Sequence, residues 1–386
     1  MSRGRDRRAE ETPPGRGGTA GPVLSAAPSA VPVTPVPFGR WLFTRPDGLM
    51  TAYGQGPRGL VRWTEHAGPG ETWTGPETVE VPRWAGRPSL ARTREGYLHI
   101  AARRASAGDP ARLEIVLATQ FQTGRPLTPW HNLGAPRPAP DTDRSLAFGP
   151  LTEADPVTGA VHVLVVTRSG EVFRRSRGPE GGWDGWKSVL DGPCPGEPVA
   201  VMAENGPLEL LAHDASATAR WTARAQGPFE PAGRAAAPAV AGSATAYGTG
   251  PGRATFFWRH PGDGSLVAWR PGTGGGDGDG PIGLGGAGGR GAPAVTRTVV
   301  GGHDCTVLVQ RAASGGVEVA AHVTEHEDYG LWWEPTSGPD AVSVQTVVDG
   351  AGRVVVAALD ERGALHITRQ DPSREGLVFR RWRRVS

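Results

Sequence analysis

Tryptophan is the residue type in this sequence that is best suited to contact a ligand. The chain contains 13 tryptophans, and an indole ring can stack on the C–H face of a sugar while polar neighbours bind its hydroxyls. Four tryptophans recur at similar positions of a repeat, and we expect them to pack between neighbouring units: Trp130, Trp186, Trp333 and Trp382. Five others lie outside that register, and these are our candidate sugar-binding residues: Trp63, Trp183, Trp221, Trp269 and Trp332.

Residues that could carry out catalysis are sparse. His303, Asp304 and Cys305 are adjacent, but successive residues of a strand point to opposite faces, which favours a structural role for all three. The sequence contains no GxSxG, HExxH or P-loop motif. We therefore predict no catalytic residues.

Metal and cofactor signals are equally weak. The two cysteines, Cys194 and Cys305, form no CxxC motif and no Cys/His cluster that could bind zinc. The stretch GGGDGDG at residues 274–280 has the composition of calcium-binding turns, but a single copy without a flanking repeat favours a flexible loop. The prediction is that the protein binds no metal and no cofactor.

Charge and hydropathy limit the possible partners. The net charge is +2, from 41 basic and 39 acidic residues, and this balance favours neither nucleic acid nor an acidic membrane surface as a partner. No apolar run approaches the roughly 18 residues that a membrane span requires, so we expect no membrane insertion.

The first 37 residues differ from the rest of the chain. They begin with charged residues and then become rich in Pro, Ala and Gly without any periodicity, which predicts a disordered arm. Proline interrupts the only candidate for the apolar core of a secretory signal. We expect a cytoplasmic protein, with secretion by a non-classical route as the alternative.

Residues 38–386 read as seven copies of one unit. The best preserved copy is GEVFRRSRGPEGGWDGWKSVLDG at residues 170–192, in which a strand, a Gly-rich turn and a Trp-containing strand follow one another. Equivalent positions lie about 51 residues apart and are occupied by Trp73, Trp130, Trp186, Phe229, Ile282, Trp333 and Trp382. Each unit has room for four short strands and shows no helical pattern. The prediction is an all-β, seven-bladed β-propeller of four-stranded antiparallel blades, preceded by the disordered arm.

The ends of such a ring must meet. Both the first and the last unit contain four strand candidates of their own, so we expect edge-to-edge closure without an exchanged strand. Residues 31–37 could assist by crossing the seam between the first and last units.

At residues 170–192 the sequence resembles the seven-bladed, fucose-binding lectins of the PLL type, and more remotely the tectonin and fungal fucose-lectin propellers. Partial matches occur in GSLVAWRPG, PWHNLGAP and GLWWEP. The resemblance implies a non-catalytic propeller that binds a carbohydrate or glycoconjugate in aromatic pockets between blades. Two alternatives remain open from sequence. One is a scaffold that binds a protein partner, and the other is an enzyme that acts on a glycan or small molecule at the mouth of the central channel.

Overall fold

The computed structural model describes residues 32–37, 39–68, 71–122, 125–136, 145–178, 180–214, 216–224, 227–272 and 280–385. The predicted arm up to residue 31, and the predicted Gly/Asp loop except Gly280, lie outside these ranges. The residues from Pro32 onward belong to one structural unit.

Within the described ranges the chain forms 28 β-strands in seven four-stranded antiparallel sheets, which confirms the predicted seven-bladed propeller. Blade 1 contains β1 (Leu42–Thr44), β2 (Met50–Gly56), β3 (Gly59–His66) and β4 (Thr72–Glu80). Blade 2 contains β5 (Ser89–Arg92), β6 (Leu98–Ala105), β7 (Leu113–Gln120) and β8 (His131–Gly134). Blade 3 contains β9 (Leu146–Ala154), β10 (Val161–Thr167), β11 (Val172–Arg177) and β12 (Lys187–Ser188). Blade 4 contains β13 (Val199–Met202), β14 (Leu208–His213), β15 (Thr218–Ala223) and β16 (Glu230–Ala235).

The remaining three blades follow the same order. Blade 5 contains β17 (Thr245–Gly250), β18 (Arg253–Arg259), β19 (Leu266–Trp269) and β20 (Ile282–Gly285). Blade 6 contains β21 (Arg290–Val300), β22 (His303–Arg311), β23 (Val317–Val323) and β24 (Glu334–Pro335), with one turn of 3-10 helix at Glu327–Tyr329. Blade 7 contains β25 (Ala341–Val348), β26 (Val354–Asp360), β27 (Leu365–Arg369) and β28 (Arg383–Val385). The described chain has no helix of the length and apolarity that crossing a bilayer demands.

The second strand of each blade lies in the middle of its sheet and is buried on both faces. Strand β10 reads VHVLVVT and all seven of its residues are buried, while β26 reads VVVAALD and is buried except at its last residue. A strand covered on both faces has a nearly continuous apolar sequence instead of an alternating one, and β-branched residues suit its pleated surface.

The hydrophobic core is divided among the boundaries between blades. One cluster joins Ile115 of blade 2 to Val163 of blade 3, and another joins Val172 of blade 3 to Leu210 of blade 4. Because each blade buries its two faces against two different neighbours, its stability depends on both boundaries.

The ring closes where blade 7 meets blade 1, and each of these blades contains four consecutive strands of its own. The indole Nε1 of Trp41 donates a hydrogen bond of 3.0 Å to Ser343 Oγ, and Thr44 Oγ1 donates one of 2.6 Å to the carbonyl of Val348. Among the strands of the described residues, none is exchanged between these two blades, as the sequence predicted.

Residues 32–36 also contact both blades at this seam. The backbone of Thr34 pairs with Gln55 of β2 through two hydrogen bonds of 2.9 and 2.8 Å. Val33 is buried and lies against two glycines, Gly54 of blade 1 and Gly363 of blade 7. A Cβ atom added to Gly363 would approach Val33 Cβ to 2.7 Å and its carbonyl oxygen to 2.8 Å. The segment therefore fits into space that the two glycines leave free.

This fit predicts a specific cost for Gly363→Ala. Gly363 and Gly352 both adopt a left-handed backbone, with φ of 74° and 79°, but a Cβ at Gly352 would meet nothing within 4 Å. Both substitutions incur the backbone strain of about 1–2 kcal/mol, and only Gly363→Ala also displaces Val33, which adds about 1–3 kcal/mol. Urea unfolding of the two variants measures the difference. Equal losses of stability would show that residues 32–36 do not support the seam.

A network of charged side chains strengthens the same seam. Arg369 of blade 7 is buried, and its guanidinium forms ion pairs with Glu65 of blade 1 and, at 3.3 Å, with Asp349. The other carboxylate oxygen of Glu65 accepts a hydrogen bond of 3.0 Å from the backbone N–H of Met50. Burial raises the pKa of Glu65, while the charge of Arg369 opposes that shift. The arginine therefore limits the rise in pKa that burial imposes on this carboxylate.

Removing Arg369 should be much more damaging than removing an exposed arginine. Arg369→Ala leaves Glu65 and Asp349 without that partner, and breaking a buried ion pair in this way costs about 3–5 kcal/mol. The control is Arg58→Ala, because Arg58 and Glu80 form an ion pair with both side chains largely exposed, which contributes about 0–1 kcal/mol. Thermal and urea unfolding measure both changes. Similar losses for the two variants would contradict the importance of the buried network.

Candidate functional site

The four recurring tryptophans lie at blade boundaries, as the sequence predicted. Each indole Nε1 donates a hydrogen bond of 2.8 to 3.0 Å to a backbone carbonyl of the preceding blade. The four pairs are Trp130 with Glu80, Trp186 with Leu133, Trp333 with Leu284, and Trp382 with Thr336. We call these four residues the wedge tryptophans. Their role is to join consecutive blades, because the apolar ring fills the gap while the polar edge satisfies a carbonyl.

Three candidate sugar-binding residues occupy a common position on the third strand of their blades. Trp63 pairs with Ala52, Trp221 with Leu210 and Trp269 with Phe256, and each partner lies on the second strand of the same blade. Trp63 is 1% exposed and Trp269 is 6% exposed, while Trp221 is half-buried. Trp63 and Trp269 are therefore enclosed by the protein and offer little ring surface to a ligand.

For Trp269 and Trp221, this third-strand position lies at the boundary with the preceding blade. Trp269 belongs to the cluster between blades 4 and 5, and a Cβ at Gly233 of blade 4 would lie 3.4 Å from its Cη2 atom. Trp221 packs against the cluster between blades 3 and 4. Blades 1, 4 and 5, which carry these residues, are the blades without a wedge tryptophan. If the third strands of the blades had been aligned by their pairing with the second strands, the position that Trp63, Trp221 and Trp269 share would have been visible.

Trp332 is the most exposed of the candidate residues, with 80% of its surface accessible. Tyr329, in the same loop of blade 6, is 65% exposed and stacks on His326 with 4.7 Å between the ring centroids. This loop presents an aromatic surface rather than a concave site. The five candidates lie in five different blades, so the structure does not bring them together.

Trp183 lies beside an open pocket in blade 3. One face of its indole packs against the cluster between blades 2 and 3, which leaves the side chain half-buried. The pocket has a volume of about 380 Å³. Its lining includes Gly178, Glu180, Gly181, Gly182, Trp183 and Asp184. Small-molecule sites commonly have volumes of about 300–1,000 Å³, so the pocket has room for a small ligand.

Hydrogen bonds hold the loop around this pocket in place. Asp184 accepts a bond of 2.6 Å from the backbone N–H of Ser176 at Oδ1, and its backbone carbonyl accepts another of 2.6 Å from Arg175 Nε. Lys187 Nζ lies 3.0 Å from the other carboxylate oxygen of Asp184. Gly181 and Gly182 both have left-handed backbones, with φ of 88° and 81°, which only glycine adopts at low cost. The pocket wall is therefore formed before any ligand binds.

A second, larger cavity of about 1280 Å³ follows the central channel. The first strands of all seven blades line it, and its charged lining residues include Arg40, Arg92, Glu153 and Glu197. The lining of the channel therefore combines arginines with carboxylates.

The two cysteines and the triplet of residues 303–305 are engaged in packing and pairing within the fold. Cys194 and Cys305 are buried free thiols, and burial raises the pKa of Cys194 to about 11. Asp304 forms an ion pair with Arg297, so the triplet of residues 303–305 begins strand β22 instead of converging on a site. Among the described residues, no group of three His, Cys, Asp or Glu side chains has the arrangement of a metal site.

Comparison with known proteins gives similarity at the level of fold. No protein-family model and no curated protein matches the sequence. A protein from Lactobacillus plantarum superposes with a TM-score of 0.55 at 13% identity, over 85% of this chain and 92% of that one. AofleA from Arthrobotrys oligospora gives 0.50 at 12% identity, over 79% and 86%. SapL1 lectin in complex with alpha methyl fucoside gives 0.48 at 13% identity, over 78% and 96%. The first two matches show similarity of fold.

Trp333 is hydrogen-bonded at a blade boundary whereas the adjacent Trp332 is exposed, so substitutions of the two residues should differ in their effect on the stability of the protein. Trp333→Phe keeps most of the apolar ring but removes the N–H that bonds Leu284, which should cost about 0.5–1.5 kcal/mol. Trp332→Phe, one residue away and exposed, should change stability by no more than about 0.5 kcal/mol. Denaturant unfolding of the two variants compares them directly. A larger loss for Trp332→Phe would contradict the assigned role of the wedge tryptophans.

Proposed function

We propose that this protein is a carbohydrate-binding propeller, similar to the PLL-type lectins, and that it binds a sugar in the pocket beside Trp183. The observation that carries the proposal is the combination of a half-buried indole with an open, preformed cavity of about 380 Å³. Trp183 is the member of the predicted set that lines such a pocket.

The chemistry of the pocket suits a sugar ring. The accessible part of the Trp183 indole offers an aromatic surface for the C–H face of a pyranose. Glu180 and Asp184 supply carboxylate oxygens on the lining, and carboxylates accept hydrogen bonds from sugar hydroxyls. The glycines at 178, 181 and 182 have no side chains, so a ligand can approach their backbone N–H and carbonyl groups closely.

The proposed binding is weak for one site. A shallow stacking pocket of this kind corresponds to a dissociation constant of about 1 mM, or roughly −4 kcal/mol. Lectins gain avidity from several equivalent sites, often by a factor of about a hundred or more. In this chain the side chains of Trp63 and Trp269 are buried and cannot form further stacking sites. The proposal therefore concerns one principal pocket.

Binding can be tested with a glycan array, followed by titration of tryptophan fluorescence with fucose, its methyl glycoside and other methylated sugars. Trp183→Ala should abolish the response because it removes the stacking surface. Glu180→Gln, in the exposed loop, should weaken binding without affecting the fold. Trp332→Ala is the matched control, because it removes an exposed indole from blade 6 and leaves the pocket intact.

The outcomes separate the alternatives. Loss of sugar binding in Trp332→Ala but not in Trp183→Ala would place the site on blade 6 and contradict the proposal. A negative array for the unmodified protein would reject carbohydrate binding. The aromatic surface formed by Tyr329 and Trp332 favours a protein partner as the second candidate function, because exposed aromatic residues are enriched at protein interfaces. That function predicts partner binding that Trp332→Ala reduces and Trp183→Ala leaves unchanged.

A further inference from the structure

The central channel holds an arrangement of charges that the carbohydrate pocket does not use. All seven blades contribute their first strands to this cavity of about 1280 Å³. Side chains that are far apart in sequence therefore face a common space. Arg40 precedes β1 of blade 1, Arg92 ends β5 of blade 2, and both line the cavity.

Arg40 extends across the channel. Its guanidinium carbon lies 4.8 Å from the centroid of the Tyr247 ring, and Tyr247 belongs to β17 of blade 5, three blades away around the ring. A guanidinium that stacks on an aromatic ring keeps the N–H groups at its edge available as donors. Tyr247 therefore positions the charge of Arg40 inside the channel without neutralising it.

Arg92 adds a second positive charge to the same region. Burial lowers the pKa of Arg92, and the charge of Arg40 lowers it further, so the two guanidinium groups repel each other. In the part of the chain that the structure describes, no carboxylate lies within ion-pair distance of either one. Two other arginines of the channel have partners of their own, since Arg297 forms an ion pair with Asp304 and Arg311 donates a hydrogen bond to the carbonyl of Ala341.

The carboxylates of the channel offset this charge incompletely. Burial raises the pKa of Glu153 to about 7, against the opposing effects of Arg40 and of a hydrogen bond from the backbone of Met202. Burial also raises the pKa of Glu197, against the opposing charge of Arg87. The raised pKa values disfavour the charged forms of Glu153 and Glu197, so these two carboxylates offset the positive charge of Arg40 and Arg92 only in part.

We propose that the central channel binds a small molecule with a carboxylate or phosphate group, which the guanidinium groups of Arg40 and Arg92 hold together. An anion placed between the two groups relieves their repulsion and accepts charge-assisted hydrogen bonds, which are shorter and stronger than neutral ones. The planar donor fork of arginine matches both carboxylate and phosphate. This site is separate from the pocket at Trp183 and does not depend on the proposed sugar binding.

Isothermal titration calorimetry of the full chain at pH 7 tests the proposal, with inorganic phosphate in one arm and citrate in the other. The native protein should bind at least one of them with a dissociation constant of about 1 mM or lower. Arg40→Ala and Arg92→Ala should each weaken that binding by about tenfold or more, because each removes a charge-assisted hydrogen bond. Arg40→Lys should give an intermediate affinity, since the charge remains but the fork is lost.

Three further variants complete the design. Arg58→Ala is the control, because it removes an exposed arginine outside the channel and should leave the affinity within about twofold. Trp183→Ala should also leave anion binding unchanged. Glu153→Gln should increase the affinity, because it removes the competing carboxylate. Absence of binding in both arms, equal effects of Arg40→Ala and Arg58→Ala, or weaker binding in Glu153→Gln would overturn the proposal.

Discussion

The ring depends on contacts between neighbouring blades, and at four of its boundaries a tryptophan N–H donates a hydrogen bond to a backbone carbonyl of the preceding blade. Each sheet is too small to enclose a core of its own, so the apolar surface of a blade is buried only when its neighbours are correctly placed. A wedge tryptophan sets that placement, because the ring fills the gap and the N–H fixes its orientation. In blades 4 and 5, which have no wedge tryptophan, Trp221 and Trp269 of the third strand pack at the boundary with the preceding blade.

At the seam between blades 7 and 1, charged side chains and residues 32–36 hold the two neighbouring blades in place. The two blades are 300 residues apart in the chain, and Arg369, Glu65 and Asp349 form a buried ion-pair network between them. A network of this kind gives geometric specificity more than net stability, because the desolvation of the charges offsets much of their attraction. Val33 adds apolar contact, and the backbone of Thr34 extends the sheet of blade 1 by one bridge.

Much of the architecture was accessible from sequence, because the repeat is carried by local signals. The seven units, their four short strands and the positions of Trp130 and Trp186 all follow from turn residues and spacing. The burial of Trp63 and Trp269 did not follow, because it depends on the register of the third strand against the second. A register is a property of paired strands, and the sequence of a single strand does not contain it.

The contacts inside the channel were even less predictable from sequence, because they also depend on how distant parts of the chain come together. Arg40 and Tyr247 are 207 residues apart in the sequence, and nothing near either of them signals that they meet. Only closure of the ring brings them together. The pocket at Trp183 was easier to anticipate, because all of its lining residues lie close together in the sequence, between Ser176 and Asp184.

Every blade consists of four strands that are consecutive in the chain, including the two blades at the seam. The hydrogen bonds between the strands of a blade therefore come from one continuous stretch of chain. A gene duplication or deletion that adds or removes a whole blade leaves the strand pairing of every other blade complete. Each junction can then diverge independently of the rest. This explains how one ring can have outer-strand tryptophans at some boundaries, third-strand tryptophans at others and a buried ion-pair network at the seam. It also explains why a ligand site in one blade need not be repeated in the other six.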